Sequence, residues 1–540
     1  MSSVLILGAG LMQRPAVDAA HSLGFKVYVV DADPSALCVP LADVFARIDL
    51  KDKDGILAFA EKIASSEKLE AVFTAGTDFS SSVSYVCERT GLPAHSYEAA
   101  LNASDKIRMR RCFEAASVPS PAFVQVCASD IDSADFTGLC AGLGFPLVVK
   151  PADNMGARGC RMAESVMELS DAVRDAVRFS RTGRAVIEEF MDGPEYSIDA
   201  LIYGGSMTIT GFAERHINYP PYFIETGHTM PAVLPDDIHD RLISAFALGA
   251  KSLGLTCGAA KADIKFTSRG PMIGEIAGRL SGGYMSGWTY PYASGLDLTG
   301  QALLVACGRE PEEILRRRTA VNFIPPDGMS AESPYQLWEV PCVRSSAERA
   351  WISIPGRIGH IEGAEAAEKE MFVRNVFPRP AVCPGADIYF PRNNVEKGGN
   401  VISCSDDRES AVCAAEKAVS DIVIVLEPDV PSTDEFLSSE SKFPPPAFAL
   451  PPGGLSGEIS GVIPAGADIS DYVPSVLRGH AESVLAADWN HNSFERTVGL
   501  FMSMRPDHPE LDAYGFWRAL MRGGIQGALY YSDTLSLRRS

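Results

Sequence analysis

The chain has 540 residues, 46% hydrophobic and 22% charged, and sets 48 Lys and Arg against 69 Asp and Glu for a net charge of −21. A nucleic-acid partner requires a basic face; the only tight basic clusters, Arg108–Arg110–Arg111 and Arg316–Arg317–Arg318, are expected on helix surfaces, so no nucleic-acid partner is expected. No apolar stretch is long enough to span a bilayer, and MSSVLILGAG has no basic segment ahead of its apolar run, so a cytoplasmic location without a membrane partner is expected.

At about 100–200 residues per domain, the length allows three or four domains. Residues 3–7 (SVLIL) read as a strand. Gly8-Ala9-Gly10, an amphipathic segment and a second strand, FKVYVVD (25–31), follow, and AVFTAG (71–76) adds another. Residues 1–103 are therefore expected to form a doubly wound, Rossmann-like domain. Ser104 is placed to cap a helix from Lys106 to Ala116, and Pro119 and Pro121 close the connection. FPLVVK (145–150) runs into a glycine-rich loop, and AVIEEF (185–190) and YSIDALIY (196–203) are further strands. A long helix is expected over 236–253, and ADIKFTSRGPMIGEI (262–276) alternates like a hairpin.

Residues 320–427 are rich in β-type sequence and close with a helix (408–418) and the strand IVIVLE (422–427). Residues 428–467, with PPPAFALPPGG, read as a linker or a long surface excursion, and 468–540 as helical. The twelve cysteines form no CxxC pair. Cys38, Cys112, Cys160 and Cys257 lie in apolar or glycine-rich runs, the pattern of reduced, buried thiols.

The hairpin carries the strongest chemistry. With Ser268-Arg269-Gly270 as the turn, Asp263 and Glu275 lie six residues to either side of Arg269 and share a strand face. Like charges placed opposite each other repel unless a cation lies between them, and two hard oxygen donors suit Mg²⁺ holding phosphates. The plainer alternative is a solvated edge with two unrelated acids. Lys150 ends its strand beside Gly156 and Gly159, which free backbone N–H groups to face phosphate oxygens; glycine loops after strands are common, and no GxxxxGK[ST] motif is present. Glu188-Glu189-Phe190-Met191-Asp192-Gly193-Pro194-Glu195 breaks from strand to turn. There backbone groups can meet an adenine edge and an acid can accept from ribose hydroxyls. An acidic surface turn is the commoner meaning of such a string. Arg279, in EIAGRLSGG, can face an anionic substrate or a developing negative charge.

In order, SDKIRMRR, FPLVVKPADNMGARG, VIEEFMDGPEYSID and ADIKF…GEIAGR resemble the ATP-grasp superfamily, in its carboxylate–amine ligase branch with the L-amino-acid ligases and with biotin carboxylase as a relative. The resemblance covers roughly residues 1–427. It implies an α/β fold, α+β in parts. The Rossmann-like domain (1–103) precedes a linker helix and small lid subdomain (104–190) and a large subdomain with a C-terminal lobe (191–427). The linker (428–467) and a helical C-terminal extension (468–540) follow. It implies that Lys106 and Lys150 contact ATP phosphates and that loop 154–160, with Gly156, Ala157 and Gly159, closes over the triphosphate. Glu188, Glu189 and Met191 would form the adenine hinge, Glu195 would bind ribose, and Asp263 and Glu275 would bind Mg²⁺, with Mn²⁺ as a substitute. Lys150 and Arg279 would be catalytic, Arg279 steadying the acyl phosphate and the tetrahedral intermediate.

Three departures stand out. The first metal acid is Asp263 rather than Glu, Ala277 replaces the amide ligand of a second metal, and Lys261 replaces a histidine common in relatives.

The implied reaction is activation of a small carboxylate, such as an amino acid, as an acyl phosphate that an amine then attacks. The segment 219–235 resembles the substrate side, where His228 can touch substrate or fix a loop. Tyr284 and Trp288 can wall the pocket or serve the core. A homodimer is implied by analogy. Three other readings compete: a biotin carboxylase-like enzyme activating bicarbonate, a nucleotide-binding protein with a degenerate site, and a nicotinamide enzyme. The last rests on Gly8-x-Gly10 and Asp31, although Gln13 stands where a third glycine belongs.

Overall fold

The structure, a computed structural model, describes residues 2–131, 135–451, 454–455, 459–481 and 487–539. Strands Ser2–Leu7 (β1), Lys26–Asp31 (β2), Val44–Arg47 (β3) and Lys68–Phe73 (β4) form a parallel sheet in the order β3-β2-β1-β4. Val4 and Ile6 pack with Ala16 and Val17 of helix Arg14–Ser22 (α1). Leu5 and Leu7 pack with Ile56 of Lys53–Ser66 (α2) and Val86 of Ser80–Thr90 (α3). Helices thus cover both faces, which is why the strands read as unbroken apolar runs.

The dinucleotide-like positions are spent inside this domain. Asp31 accepts from the Ala9 N–H at 2.7 Å, and buried Gln13 accepts from the Ala75 N–H at 2.9 Å while its amide donates to the Ala75 carbonyl.

Helix Tyr97–Ser104 (α4) leads into Lys106–Ala115 (α5). Asp105, not Ser104, caps α5: its carboxylate accepts from the N–H groups of Ile107 and Arg108. Ser104 instead donates to the Ala100 carbonyl within α4. The small sheet comprises Phe123–Cys127 (β5), Leu147–Pro151 (β6), Arg161–Ala163 (β7) and Arg184–Glu189 (β8), antiparallel in the order β5-β8-β6-β7. Leu169, Ala172, Val173 and Ala176 of helix Val166–Phe179 (α6) cover it.

Strands Glu195–Tyr203 (β9), Ser206–Asn218 (β10), Ile224–Met230 (β11), Gly258–Thr267 (β12) and Gly270–Ala277 (β13) carry the larger sheet, with neighbours in the run β13-β12-β9-β10. Helix Asp236–Leu253 (α7) spans the range expected, and its Leu242, Ile243 and Phe246 pack on Ile198, Ile264, Ile273 and Ile276. Apart from the end of β10 and the start of β11, which fall within 217–227, these parts belong to one compact unit, residues 1–216, 228–346 and 406–408.

The second unit holds residues 217–227, 347–405 and 409–540. A single apolar core joins Trp351, Phe390, Val419 and Ile424 to Phe436, Phe448, Phe501, Phe516 and Trp517. Within the described part of the range expected as a linker or surface excursion, Pro431–Ser438 is helical, and Phe436, Leu437 and Phe448 are buried. Phe494–Met504 and Ala513–Arg539 give the helical C-terminal region. Among the described residues, no helix is long and apolar enough to cross a membrane.

All twelve cysteines are free. Of the four singled out in the sequence, only Cys38 is fully buried; Cys112, Cys160 and Cys257 are partly exposed.

Candidate active site

Asp263 and Glu275 are register partners across the β12–β13 hairpin. The pairing is as expected, but its cause is different. The turn is the two residues Ser268 and Arg269 between paired Thr267 and Gly270, which alone would set Asp263 against residue 274. A β-bulge between Asp263 and Ile264 shifts the register by one and restores the match.

Each carboxylate meets cations. Glu275 Oε2 is 3.5 Å from Lys106 Nζ, which also donates to the Asn154 carbonyl at 3.0 Å. Asp263 Oδ2 is 3.0 Å from Arg215 Nη1 and bonded to Lys261 Nζ. Two carboxylates on neighbouring strands offer hard oxygen donors of the kind that suit a divalent cation.

Lys106 and Lys150 converge on the glycine loop. Cys160, at the loop's end, lies in the field of Lys150, Lys106, Glu188 and Glu275, although burial is the larger influence and pushes its thiol up to about 11. The loop backbone is left-handed at Gly156, Ala157 and Gly159. Asn154 anchors it by donating to the Phe179 carbonyl at 2.7 Å.

Glu188 departs from its expected place in an adenine hinge. Its backbone is laddered on both sides, against Phe123 and Val148, so it offers no free edge to a base. Its side chain is 1% exposed, with Oε1 2.7 Å from Arg110 Nε and Oε2 2.7 Å from Lys150 Nζ. Burial alone would raise this carboxyl, but the Arg110 and Lys150 charges outweigh it and hold it at about 2. Burial works against the Lys150 ammonium, and Glu188 reverses that, so its pKa is raised. Arg110 also donates to the Ile273 and Gly274 carbonyls. It is therefore a buried residue and not the surface residue expected.

Residues 190–194, the connection from β8 to β9, lie within the stretch expected to form the hinge. Glu189 accepts from the Ala122 N–H at 3.0 Å and pairs with Arg269 at 2.8 Å. The Met191 carbonyl accepts from Lys265 at 3.1 Å. Gly193 sits at φ +80°, and a Cβ there would lie 2.1 Å from the Phe266 carbonyl oxygen, so only glycine lets the hinge lie this close to β12. Glu195, the expected ribose acid, is 2.6 Å from Arg215 Nη1 and 3.7 Å from Lys265 Nζ.

Arg279 Nη2 lies 3.3 Å from Asp78 Oδ1, and Nη1 donates to the Leu280 carbonyl. Its Nε is buried with no hydrogen-bond partner among the described residues, a donor left for an anionic ligand. Asp199 braces the same turn. It is fully buried and accepts from the Ser281 N–H at 3.0 Å and the Ser281 hydroxyl at 2.8 Å. Burial lifts its carboxyl to about 6, the Ser281 bonds and the Lys261 and Arg279 charges opposing. Gly76 and Gly282 bring the two loops together: a Cβ at Gly282 would lie 3.0 Å from the Gly76 carbonyl oxygen. Tyr284 is buried and meets Trp288 edge to face at 5.7 Å. His228 is completely buried on β11.

Sequence reasoning missed Arg110, Lys265, Arg215, Asp78 and Asp199. Two of these left a signal. Arg110 is four residues after Lys106, on the same helical face, and Lys265 follows Asp263 by two along a strand. The others come from separate strands or loops.

Residues 143–287 match the ATP-grasp domain family, and residues 350–427 match the L-amino acid ligase C-terminal domain 2 family. The chain is 26% identical to carnosine synthase 1 of Homo sapiens over 59% of this chain and 41% of the relative. It is 26% identical to an alanine–anticapsin ligase of Bacillus subtilis over 53% of this chain and 62% of that one. It thus spans less than two thirds of either relative. Among solved structures, an L-amino acid ligase from Bacillus licheniformis matches with a TM-score of 0.64 at 18% identity, over 79% of this chain and 99% of that chain.

Proposed function

From the premise that this chain is an ATP-grasp protein of the carboxylate–amine ligase family, bearing an L-amino acid ligase C-terminal domain, we propose that it joins a small carboxylate, of amino-acid type, to an amine at the expense of ATP. The observation that carries this is the gathering of Lys106, Lys150 and Glu275 around Cys160 at the end of the glycine loop, with Asp263 paired to Glu275 and with Arg279, four residues on, keeping an orphaned buried Nε donor. We place the enzyme in the cytoplasm and its partners among small molecules.

The chain's own groups divide the work. Lys106 and Lys150 lie where phosphate charge needs neutralising, and such transfer depends mainly on positioning and electrostatics. Glu188 and Arg110 hold the Lys150 ammonium in place. Residues 189–194 and Glu195 form the base and ribose wall. Asp263 and Glu275 would hold a divalent ion, Mg²⁺ or Mn²⁺, which would supply positive charge to offset that of the phosphates. A substrate carboxylate oxygen attacks the γ-phosphorus and ADP leaves, forming an acyl phosphate. The amine adds to its carbonyl carbon, forming the C–N bond, and Arg279 steadies the oxyanion; the C–O bond to phosphate then breaks, and the proton lost by the nitrogen leaves with the phosphate. Closure of loop 154–160 excludes water that would hydrolyse the acyl phosphate.

The test is ADP release from ATP and Mg²⁺ by the purified protein across pairs of amino acids and small amines, with products read by mass spectrometry. A pair that stimulates ADP release and yields a product one water lighter than the two reactants supports the proposal. Stimulation by bicarbonate alone, or binding of NADH and not ATP, overturns it.

A further inference from the structure

Lys261 and Ala277 face each other as register partners across the β12–β13 hairpin, two residues beyond the Asp263–Glu275 pair. Lys261 Nζ bonds Asp263 Oδ2, and its side chain is only 14% exposed. On its other flank Lys261 is the register partner of Asp199 on β9. The same Asp263 oxygen takes Arg215 at 3.0 Å. The Asp199 side of Asp263 is therefore occupied by a fixed ammonium.

A hard divalent ion needs about six oxygens, and a second ion needs donors of its own. Position 277 offers a buried methyl group and no side-chain oxygen. Among the described residues, no cluster of three or more His, Cys, Asp or Glu could hold a metal. Asp199, the register partner of Lys261 on β9, commits Oδ2 to Ser281, and its buried Oδ1 is a single oxygen and not a donor set. A second divalent ion would also stand against the Lys261 charge with little water to screen it.

We infer that the chain holds one divalent cation, between Asp263, Glu275 and the nucleotide phosphates, and that the Lys261 ammonium stands permanently in the place of a second. The charge that a second ion would bring is built into β12. This rests on the nucleotide reading above.

The test is a titration of Mn²⁺ into the full-length protein with the non-hydrolysable ATP analogue AMP-PNP. Free Mn²⁺ is read by electron paramagnetic resonance and bound nucleotide by dialysis in the same samples. The wild type is expected to bind one Mn²⁺ per AMP-PNP. The double variant Lys261→His with Ala277→Asn, which supplies a ring nitrogen and an amide oxygen, is expected to bind two. Two ions per nucleotide in the wild type overturn the inference, and this arm holds even if the double variant does not fold. A double variant that binds nucleotide with only one ion overturns the role given to Lys261. A wild type that binds no AMP-PNP overturns the nucleotide reading itself, and the inference with it.

Discussion

Glu188 and Lys150 meet at 2.7 Å with the carboxylate 1% exposed, so the lysine assigned to phosphate is held by a buried counter-charge that Arg110 shares. Removing Glu188, the counter-charge both cations share, leaves Arg110 buried and Lys150 largely buried without it. Glu188→Ala is expected to lower stability by about 3–5 kcal/mol. Chemical denaturation monitored by tryptophan fluorescence checks this, and a loss below about 1 kcal/mol contradicts the reading.

Lys150→Met should act on chemistry more than on folding, because Glu188 keeps Arg110 as a partner. Turnover is expected to fall by about 10²–10³-fold, the usual scale for a lost charge-stabilising group. ADP release gives the rate, and circular dichroism checks that the variant stays folded.

Arg279→Lys separates nucleotide binding from ligation. Arg279 sits with Asp78 and Leu280, whereas Lys106 and Lys150, proposed for the phosphates, pair with Glu275 and Glu188. Product formation should drop by about 10²-fold or more. AMP-PNP affinity by calorimetry should stay close to that of the wild type, and parallel losses in both would contradict the assignment.

Two buried groups give opposite dependences on pH. His95 donates through Nε2 to the Ala259 carbonyl at 2.9 Å, while Nδ1 accepts from the N–H groups of Thr256 and Cys257, so the neutral ring is fixed. Burial lowers its pKa to about 4, the Ala259 bond opposing. A base with a depressed folded pKa contributes stability above its unfolded pKa near 6.5 and loses it as pH falls through about 4, on the order of 3 kcal/mol in all. His95→Gln should flatten that slope in denaturation experiments run from pH 7.5 to 4.

Asp199 runs the other way. Its folded pKa of about 6 lies above the unfolded value, so its contribution is full below about 4 and lost as pH rises through 6. Asp199→Asn should therefore gain stability relative to wild type on going from pH 4.5 to pH 8. A constant difference across that range would contradict the assignment.

The fold was legible where period and length agreed: the parallel strands of the first domain, helix 236–253 and the hairpin. The Asp263–Glu275 pairing was reached by counting from a three-residue turn, and the bulge compensates for the shorter turn actually formed. A bulge leaves no mark on residue type, so that agreement was not earned by the turn geometry. The ion pairs of Glu188 were not legible, because Glu188 and Glu189 look alike in sequence while only Glu188 faces Arg110 and Lys150. Asp78 and Asp199 were not legible, since one comes from a loop after β4 and the other from mid-strand, and only tertiary folding brings them to residues 279–281. The C-terminal region deceived by composition: its proline runs flank Phe436 and Phe448, which are core residues.

The central claim is that ATP activates a carboxylate as an acyl phosphate, and oxygen transfer tests it directly. The protein is incubated with ATP, Mg²⁺ and an amine, together with the carboxylate substrate carrying ¹⁸O in both oxygens, and the released phosphate is read by ³¹P NMR. One ¹⁸O per phosphate, formed together with ADP and the ligated product, is the result expected. Product formed with unlabelled phosphate, or with AMP and pyrophosphate in place of ADP, would contradict the account.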